Sequence, residues 1–178
     1  MKNYVSMFVM IIVGFILQTT LFRHLRIAGV SPNILVILTA IAGTMYGQYC
    51  GLFTGVISGL FVDMMFSSII GVNIFIYAVI GFIIGMTNKM YIEDDLIFPT
   101  MTIAIGDIIY GVLFYVLKFL LRGRLRLTDY LINTIIPELI YTIILGVIVF
   151  KFAHWMDRKL NPPEPVHLGV ETKPDDEQ

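Results

Sequence analysis

The 178-residue chain is 57% hydrophobic, only 14% charged and carries a formal net charge of −1, with a mean hydropathy of +0.85. Soluble domains carry about 25% charged residues, so an aqueous fold is excluded and lipid is the expected solvent. The near-zero charge offers nothing to a nucleic-acid partner.

A bilayer core of about 30 Å asks for roughly 20 helical residues. Helix 1 is expected over Tyr4 to Phe22, ending at the basic loop Arg23-His24-Leu25-Arg26. No small-x-small cleavage site follows it, so it reads as a span and not a signal peptide. Helix 2 opens at Ser31-Pro32-Asn33, where serine or asparagine caps free amides and proline suits the first turn. From Asn33 to Phe66 the only charge is Asp63. One helix over those residues would be about 50 Å long, too long for one crossing. The spacing therefore predicts a break near Gly47-Gln48, with helix 3 ending before Ser67-Ser68.

Helix 4 is expected from about Ile70 to Asn88, followed by a charged loop with Lys89 and Glu93-Asp94-Asp95. Helix 5 runs from about Leu96 to Leu121, and helix 6 from about Tyr130 to Phe152 with Trp155 as an interfacial anchor. The expected architecture is all-α and polytopic, with about six transmembrane helices in a membrane domain over residues 1–160. The tail 161–178 holds four of the seven prolines and five acids against one lysine, so it is expected to be disordered. Charge does not orient the chain. Lys2, Lys89, Lys151, Arg158 and Lys159 on one side balance Arg23, Arg26, Arg122, Arg124 and Arg126 on the other. Six crossings still place both termini, and hence the tail, on one side.

Glycine recurs at 43, 47, 51, 55 and 59, and the next step of four is Asp63. In water each glycine would cost a helix about 1 kcal/mol relative to alanine. In lipid, small residues at i and i+4 let two backbones approach, because helix association there rests on close packing and polar contacts. Asn73, Tyr77, Gly81 and Gly85 repeat the spacing in helix 4, and Gly14 with Gln18 in helix 1. Gly47, Gly51, Gly55, Gly59, Gly81, Gly85 and Gln18 are thus candidates for a packing face. Two readings stand side by side: packing within the chain alone, or docking of another protein's helix as well. On either, Gly55→Leu should separate the helices while Gly55→Ala should be mild.

Intramembrane polar residues form a second set: Asp63, Asn73, Asp107, Glu138 and Tyr141. A charge at mid-bilayer costs roughly 3 kcal/mol or more, so such groups face the interior, a partner or a cavity. Thr134, Glu138, Tyr141 and Thr142 share one face of helix 6, which is expected to meet Asp107 or Asn73. The favoured role is hydrogen-bonded glue, and a structural Asp63 should tolerate asparagine. Ala104-Ile105-Gly106-Asp107 is similar to the Gly-x-Gly-Asp signature of intramembrane aspartyl proteases but lacks its first glycine. The sequence has no Ser/His/Asp set, phosphate loop or histidine cluster, and its one cysteine, Cys50, reads as an apolar filler. No catalytic residue, metal site or cofactor is expected.

In combination, Gln18-Thr19-Thr20-Leu21-Phe22, Ile27-Ala28-Gly29-Val30-Ser31-Pro32-Asn33, the Gly55 to Asp63 block, Gly71 to Gly85, and Pro137 with Tyr141 resemble the MreD family of bacterial rod shape-determining membrane proteins. The family usually has asparagine after that tyrosine, where this chain has Thr142. The resemblance implies a non-enzymatic, multi-pass subunit of the cell-wall elongation machinery in the cytoplasmic (inner) membrane, with both termini inside. It implies binding to an MreC-like bitopic protein and, through it, a connection to MreB filaments, RodA and a class B transpeptidase. The family's fold is similar to that of the S-components of energy-coupling-factor vitamin transporters. That implies an alternative, a small-molecule-binding subunit with a polar, aromatic pocket lined by Tyr77, Asn73 and Tyr110.

Overall fold

The computed structural model describes residues 2–24, 32–67, 69–92, 95–122 and 135–160. They form six α-helices and, among the described residues, no strand. The helices are α1 (Lys2–His24), α2 (Ile34–Tyr46), α3 (Gln48–Phe66), α4 (Val72–Met86), α5 (Ile97–Arg122) and α6 (Ile136–Leu160), with a short 3₁₀ turn, Thr87–Met90, after α4. Among the described residues four stretches are long and apolar enough to cross a membrane: Gln48–Phe66, Val72–Met90, Ile97–Leu117 and Ile136–Lys159. The apolar parts Val9–Thr20 and Ile34–Tyr46 are shorter.

The break at residue 47 follows from backbone geometry. Gly47 adopts φ 89°, ψ −179°, a conformation that side-chain-bearing residues rarely enter. A single residue thus ends α2 and begins α3. At 13 residues α2 rises only about 20 Å, less than a bilayer core. It can be short because protein surrounds it. Residues Ile34 to Thr44 are all buried, and α2 packs against each of the other five helices. Where a helix ends at membrane depth, its free backbone groups must find partners inside the protein.

The glycines of α3 face α4. A Cβ on Gly51 would strike the carbonyl oxygen of Gly81, and one on Gly81 would strike that of Gly51. A Cβ on Gly55 would strike the Tyr77 carbonyl, and one on Gly85 the Gln48 backbone. At Gly59 it would lie 2.6 Å from Ile74 Cα and 2.7 Å from the Asn73 oxygen. Each step of four along α3 therefore meets a step of four along α4, in antiparallel register. Gly43 of α2 joins the seam, with Gly85 N 2.9 Å from its would-be Cβ. Gly14 of α1 instead faces Leu38 of α2.

Helix 6 differs from its expected bounds. Residues 130–134 lie outside the described residues, and the helix runs past Phe152 to Leu160. Nothing stops it at 152, since the next proline is Pro162, and Arg158 and Lys159 in its last turn suit the negative end of the helix dipole. Trp155 therefore sits within the helix, exposed, with the Lys159 ammonium 5.1 Å from its ring centre. The expected tail 161–178 lies outside the described residues. At this end of the bundle Tyr46 Oη donates to Asp157 Oδ1 at 2.6 Å, and Asn88 Nδ2 donates to the Thr44 carbonyl at 2.7 Å.

The mildness expected of Gly55→Ala is corrected by this geometry, because even one methyl group meets backbone, which cannot rotate away. Gly55→Ala should cost about 1–3 kcal/mol through overpacking. Gly111→Ala is the control, since the three atoms nearest its Cβ all belong to the Ile135 side chain, Cδ1 at 3.0 Å and Cγ1 at 3.1 Å among them, and a side chain can shift where backbone cannot. Thermal unfolding of the purified protein in detergent should show a clear fall in Tm for the first variant and little change for the second. Equal behaviour would contradict a backbone-to-backbone seam.

Candidate functional site

The end of the bundle formed by the start of α2, the end of α3, the start of α4 and the first turns of α6 is polar. Its first centre is Asp63, fully buried at the last turn of α3. The N-cap of α4, Gly71, has no side chain to offer and sits at φ 110°. Asp63 supplies the missing acceptor from the neighbouring helix. Its Oδ2 accepts from Gly71 N at 2.8 Å and Ile74 N at 3.1 Å. Its Oδ1 accepts from Asn73 N at 3.3 Å and Asn73 Nδ2 at 2.9 Å. Asn73 Nδ2 also donates to Ser67 Oγ at 2.7 Å. A carboxylate at a helix N-terminus, meeting free amides, is favoured by both hydrogen bonding and the helix dipole.

The second centre caps α2. Asn33 Oδ1 accepts from Val36 N at 3.3 Å and from Tyr77 Oη of α4 at 2.7 Å. Gln18 of α1 accepts from Leu35 N at 3.1 Å through its Oε1. Gln18 therefore points inward and its oxygen serves this chain. Thr142 Oγ1 of α6 accepts from Asn33 N at 3.5 Å. Three other helices, α1, α4 and α6, thus converge on the first turn of α2.

The third centre is acidic. Asp107 of α5 is 3% exposed; the Thr142 hydroxyl is its side-chain hydrogen-bond neighbour, and its Oδ1 has no hydrogen-bond partner. Glu138, in the first turn of α6, lies close enough to Asp107 to interact with it electrostatically. Helix 6 therefore meets Asp107, whereas Asn73 turns to Asp63. The acid beside Asp107 is Glu138, not Asp63, whose oxygens are taken by α4. Tyr141 packs, half-buried, against the apolar core.

A cavity of about 490 Å³ opens among these centres. Gln18, Thr19, Asn33, Tyr77, Tyr110 and Glu138 form its polar wall, and Pro32, Val62, Met65 and Phe66 its apolar wall. The Tyr77 and Tyr110 rings meet edge to face, with centroids 5.5 Å apart. Tyr77, Asn73 and Tyr110 were expected at such a pocket; Tyr77 and Tyr110 line it and Asn73 does not, its Nδ2 turning to Asp63 and Ser67 while its Oδ1 is buried without a hydrogen-bond partner. Sequence reasoning missed Thr19, Val62, Met65 and Phe66. Their only signal is position, since each lies within one turn of a polar residue already singled out. Among the described residues no group of three or more His, Cys, Asp or Glu side chains could hold a metal ion.

Apolar helices of spanning length, a buried backbone seam and buried polar caps define a polytopic all-α membrane protein. More narrowly, the family described as rod shape-determining protein MreD matches residues 1–157, and the chain belongs to that family. Membership implies a role in rod shape determination, in a family of structural membrane proteins. Comparisons with curated proteins and with solved structures return no match.

The Asp63 geometry also revises what asparagine should do there. The four donors divide between both carboxylate oxygens, so an amide would turn its NH₂ against amide donors. Asp63→Asn should destabilise by about 1–3 kcal/mol, close to Asp63→Ala. Thermal unfolding of both variants checks this; an asparagine variant with wild-type stability would contradict the capping role.

Proposed function

We propose that this protein is a non-enzymatic scaffold subunit of the bacterial cell-wall elongation machinery, multi-pass in the cytoplasmic membrane with both termini inside. The observation that carries the reading is the family match over residues 1–157. Its direct partner is an MreC-like bitopic protein, which links it to MreB filaments, to RodA and to a class B transpeptidase. The described chain is nearly all helix, so recognition falls within the membrane. The glycines of α3 and α4 are filled by each other, so the partner's helix belongs on outward apolar surface instead. Val13 and Leu17 of α1, Phe53 and Met64 of α3, and Phe75 and Phe82 of α4 are exposed there. These side chains are large, so the partner brings the small residues that a close crossing needs.

The test is a pull-down from solubilised membranes with mass spectrometry of the bound proteins. A single-pass partner should co-purify with the full chain and equally with a chain lacking residues 162–178. Loss of the partner on truncation, with the membrane core still folded, would place recognition in the tail. Absence of any single-pass partner would contradict the scaffold reading.

The cavity favours a second reading, in which the protein binds a small molecule as the S-components of vitamin transporters do. At about 490 Å³, with two tyrosines and one carboxyl on its wall, it has the size and mixed polarity of a ligand site. The two readings are compatible in one chain.

A further inference from the structure

Every other buried polar residue at this end of the bundle has a structural task. The Asp63 carboxylate takes four donors. Asn33 and Gln18 cap α2, and Tyr77 Oη binds Asn33. Glu138 and Asp107 have no comparable set. Glu138 lines the cavity, and its charged neighbour is another acid. Asp107 stands beside it with Oδ1 buried and without a hydrogen-bond partner. Among the described residues that line the cavity none is a lysine, arginine or histidine. An acid in a membrane span is expected to meet a partner or a cavity, and here it meets a cavity.

The remainder of the wall narrows the chemistry. Tyr77 and Tyr110 put aromatic rings on it, and Val62, Met65 and Phe66 make an apolar surface. A carboxyl favours a charged hydrogen-bond donor over a neutral one. Aromatic faces attract cations within about 6 Å. Where they are ionised, two neighbouring acids disfavour an anionic ligand.

We propose that the cavity holds a small organic cation, with an ammonium or similar donor bound at Glu138 and an apolar or aromatic body between the tyrosines and Met65-Phe66. Asp107 stands behind Glu138 without touching the ligand. The inference rests on the small-molecule reading of the cavity and adds the class of ligand.

Three probes of similar size separate the possibilities: phenethylammonium, 2-phenylethanol and 3-phenylpropionate. Binding to the full chain in nanodiscs is read by native mass spectrometry for stoichiometry and by thermal shift for affinity. The cation should bind saturably, one per chain and at least tenfold more tightly than the alcohol, and the carboxylate should not bind. Glu138→Gln, which keeps the side-chain shape, should erase the cation's advantage. If that variant does not fold, the order of the three probes on the wild-type chain decides alone. An alcohol that binds as tightly as the cation, or a cation advantage that survives Glu138→Gln, overturns the ligand class and leaves a small-molecule site. Failure of all three probes to bind saturably overturns the site itself.

Discussion

The contact between the α3 and α4 backbones is the constraint on which the rest depends. Lipid gives apolar helices no hydrophobic reason to associate. What holds these two together is the closeness that glycine allows, with Gly51 against Gly81 and Gly55 against Tyr77. That closeness sets the register of the pair. The register brings Asp63, one turn beyond Gly59, level with the first amides of α4. The series of small residues and the acid that ends it are thus one device. The glycines draw the helices together, and the aspartate closes the exposed helix end that the short turn leaves.

The same logic extends to α2. The first turn of α2, buried in the bundle, leaves free amides, and each needs a partner from within the protein. Asn33 serves one and Gln18 another. Tyr77 then ties the cap to α4, and Thr142 ties it to α6. The cavity lies beside these caps, walled by residues from α1 to α6. Its shape is therefore coupled to the glycine seam through Tyr77, whose carbonyl meets Gly55 and whose hydroxyl holds Asn33. A partner helix that shifted α3 against α4 would also deform the cavity.

Much of this was legible in the sequence. The break at Gly47 followed from length alone, because residues 33–66 exceed one crossing. The matched spacing in helices 3 and 4 announced close packing. Spacing carries no direction, however, so the residues alone left open whether the partner was α4 or a foreign helix. Gln18 shows the same limit, since an amide at a helix face signals a hydrogen bond but not its recipient, which is Leu35 N. The role of Asp63 depended on a turn geometry at Gly71 that no periodicity encodes. The end of helix 6 was misjudged at Phe152 because hydropathy falls there, while the backbone continues until Leu160. The pairing of Asp107 with Glu138 joins two helices far apart in sequence, and only the packed bundle brings them together.

The central claim is that the glycine seam lies within one chain and is not an interface between molecules. Magic-angle-spinning NMR on protein labelled with ¹³C at glycine, in lipid bilayers, tests it most directly. A cross peak between Gly51 Cα and the Gly81 carbonyl is predicted, and it should keep its intensity per labelled chain when labelled protein is diluted into unlabelled protein. Absence of the peak, or its loss on dilution, would contradict the account.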